Sequence, residues 1–163
     1  YLYEGGLKIP YLVRWPGKIK AGSVSDHLFY HPDVMPTLAE LTNAECPETD
    51  GISFLPTLLS RGKQENHTYM YWELGRQRAL RKGDWKAYRD KKGNWELYDL
   101  STDIEEQINL ANKKEKVLND LIALAESSHQ PARLGKILNQ ALVEKDNREA
   151  PHERNLQFKK PKQ

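Results

Sequence analysis

The chain opens on Tyr1-Leu2-Tyr3, passes through Glu4-Gly5-Gly6 and continues as Leu7, Ile9, Tyr11, Leu12 and Val13. That apolar run predicts a strand covered on both faces, as in the sheet of an α/β protein. Glu4-Gly5-Gly6 predicts a turn in which at least one glycine takes positive φ. Pro10 favours a strand start or an edge position, because it cannot donate to a ladder. Trp15-Pro16-Gly17-Lys18 reads as a turn with proline at its second position. After a polar connection at 20–25, Leu28-Phe29-Tyr30 is a second apolar stretch and His31-Pro32-Asp33 opens a helix. Asp33 is placed as its N-cap, Pro36 falls in its first turn, and Asn43 is its stop. Val34, Leu38 and Leu41 form its expected apolar face. Ile52 to Leu59 is a short apolar segment ending in a helical turn.

Ser60 to His67 is hydrophilic and marks the expected domain boundary, since the pattern changes after it. Three aromatic-rich strands follow: Tyr69–Leu74, Gln77–Tyr88 and Asn94–Leu100. Within the second, Ala79, Arg81, Trp85 and Ala87 share odd positions, and Gly83-Asp84 is a tight turn or bulge. Aromatics at this density suit an antiparallel sheet with one covered face, with Trp85, Trp95 and Tyr98 as core residues. Asp103 to Glu106 predicts a helical turn closed by Asn109-Leu110-Ala111. Val117, Leu118, Leu121, Ile122 and Ala125 then form the stripe of an amphipathic helix over about 114–127, which should lie on the sheet. Leu134 to Leu142 offers a further short helix, and from Asp146 the chain reads as a polar tail.

Composition narrows the function classes. The 163 residues carry 25 basic and 23 acidic side chains, for a net charge of +2, so the surface is mixed. This argues against a dedicated nucleic-acid binder. A hydrophobic fraction of 38% and a mean hydropathy of −0.80 leave no run long enough to span a membrane. The single cysteine, Cys46, excludes an internal disulfide framework and a cysteine-built zinc cage, and leaves the compartment open. His31 is a candidate ligand or base, set against a structural or exposed loop histidine. Free N-termini are usually polar and frayed, whereas Tyr1 to Tyr3 looks like the middle of an element, which suggests the tail of a longer protein.

Several of these stretches together resemble a known family. Tyr3-Glu4-Gly5-Gly6-Leu7-Lys8-Ile9-Pro10 followed by Arg14-Trp15-Pro16-Gly17-Lys18-Ile19 is similar to the late part of the type I, arylsulfatase-like sulfatases. In the same order, Asp33-Val34-Met35-Pro36-Thr37-Leu38 resembles the family's D-x-x-P-T-L helix start, and Asp50-Gly51-Ile52-Ser53 its D-G-x-S loop. Ala79-Leu80-Arg81-Lys82-Gly83-Asp84-Trp85-Lys86 resembles its A-x-R-x-G-x-W-K strand pair. Glu96-Leu97-Tyr98-Asp99-Leu100, with Asp103, Glu105 or Glu106 and Asn109-Leu110-Ala111, resembles its closing segment. The likeness covers Tyr3 to Ala111 and fades after about Ser128.

The resemblance implies an α/β fold of the alkaline-phosphatase-like kind, α+β within this stretch. The last strand and helix of the large sheet domain would occupy residues 1–60, a small antiparallel sheet packed by a helix 61–130, and a short helix and polar tail 131–163. It implies sulfate ester hydrolysis by the parent enzyme, with a formylglycine nucleophile and Ca²⁺. Formylglycine is made from cysteine in a Cys-x-Pro/Ala-x-Arg pattern. Cys46 has proline one place too early and Asp50 where arginine belongs, so this chain is expected to hold no catalytic residue and no metal ligand. The family's sulfate-contacting lysine would fall before Tyr1, which leaves Lys8 structural or one step removed from substrate.

Expected partners are a sulfated small molecule or sugar and the N-terminal catalytic domain, with a periplasmic or secreted location if the parent is bacterial. Glu4, Gly5 and Gly6 are expected close to the sulfate pocket in a structural role. The substrate-binding candidates are Glu73, Arg76 and Arg78, flanked by Trp72, where arginines beside a glycine turn could hold an anionic sugar; a solvated hairpin is the plain alternative. Two other readings compete: a phosphate or phosphonate ester hydrolase of the same superfamily, and a non-catalytic carbohydrate or interaction module.

Overall fold

The structure, a computed structural model, describes residues 1–130. Tyr1–Ser128 form one compact unit. The expected helix at 134–142 and the tail lie outside the described residues.

The centre of this unit is a four-stranded antiparallel meander in the order β1 (Met70–Leu74), β2 (Gln77–Lys82), β3 (Trp85–Arg89) and β4 (Trp95–Asp99). The single long strand expected over Gln77–Tyr88 is two strands, because Gly83-Asp84 is a two-residue turn between paired Lys82 and Trp85. Gly75 and Gly83, each at φ +60°, open both two-residue loops, a backbone state that glycine enters without steric penalty. Reversal at Gly83 also breaks the expected odd-numbered face. Ala79 pairs with Tyr88 and Leu80 with Ala87, and directly opposed residues share a face.

Both faces of the sheet are covered, not one. Helix α4 (Glu115–Ser128) lays Leu118, Leu121 and Ala125 on Leu80, Ala87 and Leu97. Leu2, with Tyr3 and Leu7 beside it, packs on Ala79 and Tyr88 on the opposite face. Trp85 and Trp95 pack against the first cluster and Tyr98 is buried, as the aromatic pattern predicts. Beside β4, Leu110 donates to Leu97 O at 2.8 Å, and Asn109 Oδ1 accepts from Leu97 N at 3.1 Å. The segment over 103–111 therefore serves the sheet edge through turns, and the helical turn expected there is absent.

The opening segment also departs from expectation. Glu4–Leu7 is a single helical turn, α1, and neither Gly5 nor Gly6 has positive φ. Gly6 is required by space, since a Cβ there would lie 2.4 Å from the Tyr1 carbonyl oxygen. Residues 8–15 form no strand, and Ile9 and Leu12 are 75% and 93% exposed. A strand persists only where a neighbour completes its ladder, and no described strand runs beside this one. The turn at Trp15–Lys18 forms as read, with Lys18 N donating to Trp15 O at 3.1 Å and Gly17 at φ +77°.

A 3₁₀ turn at His31–Asp33 leads into α2 (Val34–Thr42), which ends at left-handed Asn43. The face expected to be apolar and covered is not: Leu38 and Leu41 are exposed, and Thr37 is the buried position. The short α3 (Leu55–Leu59) closes the apolar segment. Phe29 stacks on Phe54 at 4.3 Å between ring centres, and Tyr11 meets Phe29 edge-on at 4.9 Å.

Candidate functional site

Three groups of polar side chains are organised by this fold. The first is buried where α1 crosses the sheet. Glu4 accepts from Lys86 Nζ at 2.9 Å and from Arg81 Nη1 at 3.2 Å. Lys86 Nζ also lies 2.8 Å from Glu106 Oε1, an ion contact off the hydrogen-bond angle, while Glu106 Oε2 accepts from Glu4 N. Two cations thus face two carboxylates, and the Lys86 side chain is fully buried. Glu106 reaches the group from a backbone at φ +56°, a conformation that costs a non-glycine residue about 1–2 kcal/mol. That strain is held by the ion contacts it makes possible. Glu4 is therefore an anchor for the opening turn, and Gly5 beside it is exposed.

The second group is centred on Asp33, 1% exposed. The sequence places it as an N-cap, yet its side chain caps nothing in α2. Its carboxylate accepts from Ile52 N at 2.7 Å and Tyr30 N at 2.9 Å, and pairs with His67 Nε2 at 2.8 Å. One turn on, Thr37 Oγ1 accepts from Phe54 N at 3.0 Å. Gly51 lets the two segments meet, since a Cβ there would lie 2.2 Å from Pro32 O. Tyr30 packs edge-on against His67, and burial followed by the Asp50 and Asp33 charges pushes its phenol up to about 12. Burial holds the neighbouring His27 imidazole below its ordinary value, against a hydrogen bond with Asn66. His31 is exposed and outside this group.

The third group is at the surface. Glu73, Arg76 and Arg78 come together in a cleft of about 350 Å³ that also gathers Arg89, Lys91 and Lys92. The register explains it: Glu73 opposes Arg78 and Arg78 opposes Arg89, so one row crosses three strands. Arg78 is fixed by Glu126 at 2.7 Å and by Glu73 at 3.8 Å. Asp90 accepts from Lys92 N, Asn94 N and Asn94 Nδ2, so its charge is turned into its own loop. The Asn94 side chain, ahead of the backbone amides, holds that carboxyl below the usual range. Sequence reading missed Arg89, Lys91 and Lys92; the signal was the register that sets Arg89 opposite Arg78 and brings the turn after Arg89 with it, which the linear order hides. Lys8 is exposed, and the lysine built into the fold is Lys86.

Among the described residues no group of three or more His, Cys, Asp or Glu is placed to hold a metal ion. Cys46 is a half-buried free thiol in a loop, and its surroundings lack the arginine of the formylglycine pattern, so neither group fits these residues.

The tyrosines near the sheet supply a pH response. Burial, and then the Glu96 carboxylate that accepts from both Tyr3 and Tyr98 at 2.8 Å, raises these two phenols well above 10.0. Burial and Glu73 do the same to Tyr71. Above pH 10 the unfolded chain releases these protons and the folded chain keeps them, so stability falls as pH rises. Alkaline titration followed at the ring signals of Tyr3, Tyr71 and Tyr98 is expected to show these phenols ionising together with loss of sheet signal, above pH 10. Ionisation of these three near pH 10 with the sheet intact would contradict it.

With the geometry in place, comparison with known proteins defines the class. Residues 1–129 match the family described as N-sulphoglucosamine sulphohydrolase, C-terminal. The chain belongs to this family of sulfatase C-terminal portions. It is 38% identical over 140 residues to an uncharacterized sulfatase of Schizosaccharomyces pombe, covering 75% of this chain and 25% of that protein. It is 32% identical over 143 residues to the N-acetylgalactosamine-6-O-sulfatase of Bacteroides thetaiotaomicron, covering 77% and 28%. A solved structure from work on glycosaminoglycan metabolism by Bacteroides thetaiotaomicron superposes with a TM-score of 0.65 at 31% identity, covering 76% and 29%. The chain thus spans about a quarter of the length of the curated relatives it matches.

Proposed function

We propose that this chain is the C-terminal portion of an enzyme that hydrolyses sulfate esters, its substrate a sulfated sugar or a sulfated small molecule. The relative named N-acetylgalactosamine-6-O-sulfatase supports the sugar reading. Residues 1–60 belong with the edge of the catalytic domain and 61–130 form the small subdomain. The hydrolytic groups, formylglycine and Ca²⁺, are supplied by the rest of the enzyme. There formylglycine would supply the nucleophile and Ca²⁺ would offset the sulfate charge. Glu4-Gly5-Gly6 lies near the sulfate pocket as a structural turn, and Glu73, Arg76 and Arg78 contact the substrate from the side.

The observation that carries this reading is the set of large apolar side chains left exposed on residues 9–13 and on α2. Ile9, Leu12, Leu38 and Leu41 are exposed together with Met35 and Val13. Large apolar side chains left exposed in this number are a mark of an interface. Its occupant is the N-terminal catalytic domain, the part of the relatives that lies outside this match. Sulfate release from an aryl sulfate is the test, run on the whole protein and on the 163-residue chain. The whole protein is expected to turn over and the chain to give nothing above background. Turnover by the isolated chain, or none by the whole protein matured in a host that makes formylglycine, would overturn it.

A further inference from the structure

We infer that the cleft between the β1–β2 and β3–β4 turns is a docking site for a sulfated glycan segment, gripped at anionic groups other than the ester being cleaved. The choice of a sulfated glycan over other polyanions rests on the function proposed above; the cationic site itself rests on the structure.

Five cations and one carboxylate line the cleft. Arg78 is committed to Glu126 and Glu73 and forms a fixed wall. Among the described residues Arg76, Arg89, Lys91 and Lys92 have no carboxylate within ion-pair reach. Four such cations held together repel one another, and their field is focused by the concave surface. A ligand that brings several negative charges relieves this. The cations are distributed between two hairpin ends set two strand intervals apart, roughly 10 Å. One small anion cannot reach both, whereas two linked pyranose rings carrying sulfate groups can. Sulfate half-esters keep their charge at any ordinary pH and present three acceptor oxygens, which suits the guanidinium fork of Arg76 and Arg89.

The loop is also built in advance. Asp90 ties Lys92 and Asn94 through their backbone amides, which fixes the Lys91-Lys92 step. Gly93, at φ +98°, lies under Arg89: a Cβ there would meet Arg89 Nη2 at 3.4 Å. A volume of about 350 Å³ falls within the range of small-ligand clefts, ~300–1,000 Å³.

Fluorescence anisotropy with the full 163-residue chain tests this, using a labelled, fully sulfated heparin hexasaccharide. Its desulfated counterpart and a single-stranded DNA of similar charge serve as comparators. The sulfated probe is expected to bind about tenfold or more tighter than either, with affinity falling steeply as salt is added. The double variant Arg76→Gln/Lys91→Gln should weaken it by about tenfold or more. Both residues are exposed in turns, so the fold is kept, as an unchanged thermal transition would verify. Lys18→Gln/Lys20→Gln, in a distant exposed turn, should change affinity by less than about twofold. Equal binding of the desulfated glycan or of DNA overturns the inference, as does a cleft variant that binds like the parent chain. Hydrolysis is not read in this experiment. Binding at the cleft with no sulfate release by the whole protein would therefore sink the proposed activity and leave the cleft assignment standing, and the reverse holds equally.

Discussion

Replacing Lys86 with methionine is expected to remove about 3–5 kcal/mol of stability, the penalty typical of breaking one side of a buried ion group. The methionine fills a similar volume, so the loss comes from charge. Glu4 and Glu106 would be left 5% and 9% exposed with Arg81 as the one remaining cation, and Arg81 reaches Glu4 alone. Urea denaturation of the chain gives the measurement. Adding Glu106→Gln to the methionine variant should restore a good part of the loss, because the uncompensated charge is then gone. A single variant as stable as the parent would show that the group is not held in the buried, paired state described.

The second large effect is expected at Asp33. Asp33→Ala strands the amides of Ile52 and Tyr30 and the His67 ring nitrogen, all of which its carboxylate accepts from or pairs with. Leaving buried donors unmade costs about 1–3 kcal/mol each, and partial relaxation should bring the total to about 2–4 kcal/mol. His67→Ala removes one partner and should cost less, about 1 kcal/mol. Amide exchange locates the effect: Ile52 should lose protection in the alanine variant while Leu80 and Ala87, in the sheet, keep theirs. Uniform loss across both regions would mean that Asp33 supports the whole unit and not the junction of α2 with the loop at 50–53.

Much of the small sheet and its helix was legible in the sequence, because local signals and tertiary burial agree there. Aromatic density marked the strands, and the spacing of Val117, Leu118, Leu121, Ile122 and Ala125 placed α4 and its covered face. The meander's fourth strand was hidden by Gly83, whose turn-or-bulge ambiguity only the pairing of Lys82 with Trp85 resolves. Residues 8–15 misled for the opposite reason. Their apolar pattern specifies a strand, but a pattern describes a surface in need of a partner, and no described strand supplies one. The same mismatch affects α2, where Leu38 and Leu41 face outward while Asp33 and Thr37 are buried.

For the candidate site, motif order identified the family, and the fold shows what several motif positions do. Glu4, Arg81, Lys86 and Glu106 come from three separate motifs and meet in one buried group. Asp33, Thr37 and Gly51 come from two others and meet at the second. Neither meeting is readable from linear spacing. Glu73, Arg76 and Arg78 could be proposed because the glycine turn brings them close in sequence. Arg89, Lys91 and Lys92 could not, since they arrive from the next hairpin through the register of β2 on β3.

The bond from Lys86 to Glu4 spans 82 residues, and this has a consequence for the order of assembly. The hairpins close over short loops and can form early, whereas long-range contacts must first offset a larger loop entropy. The opening turn is thus a late arrival, seated on a sheet that already exists. On the ribosome the asymmetry is sharper still. Glu4 emerges before its partners and waits, its carboxylate in water, until the strand bearing Lys86 and the loop bearing Glu106 have left the exit tunnel.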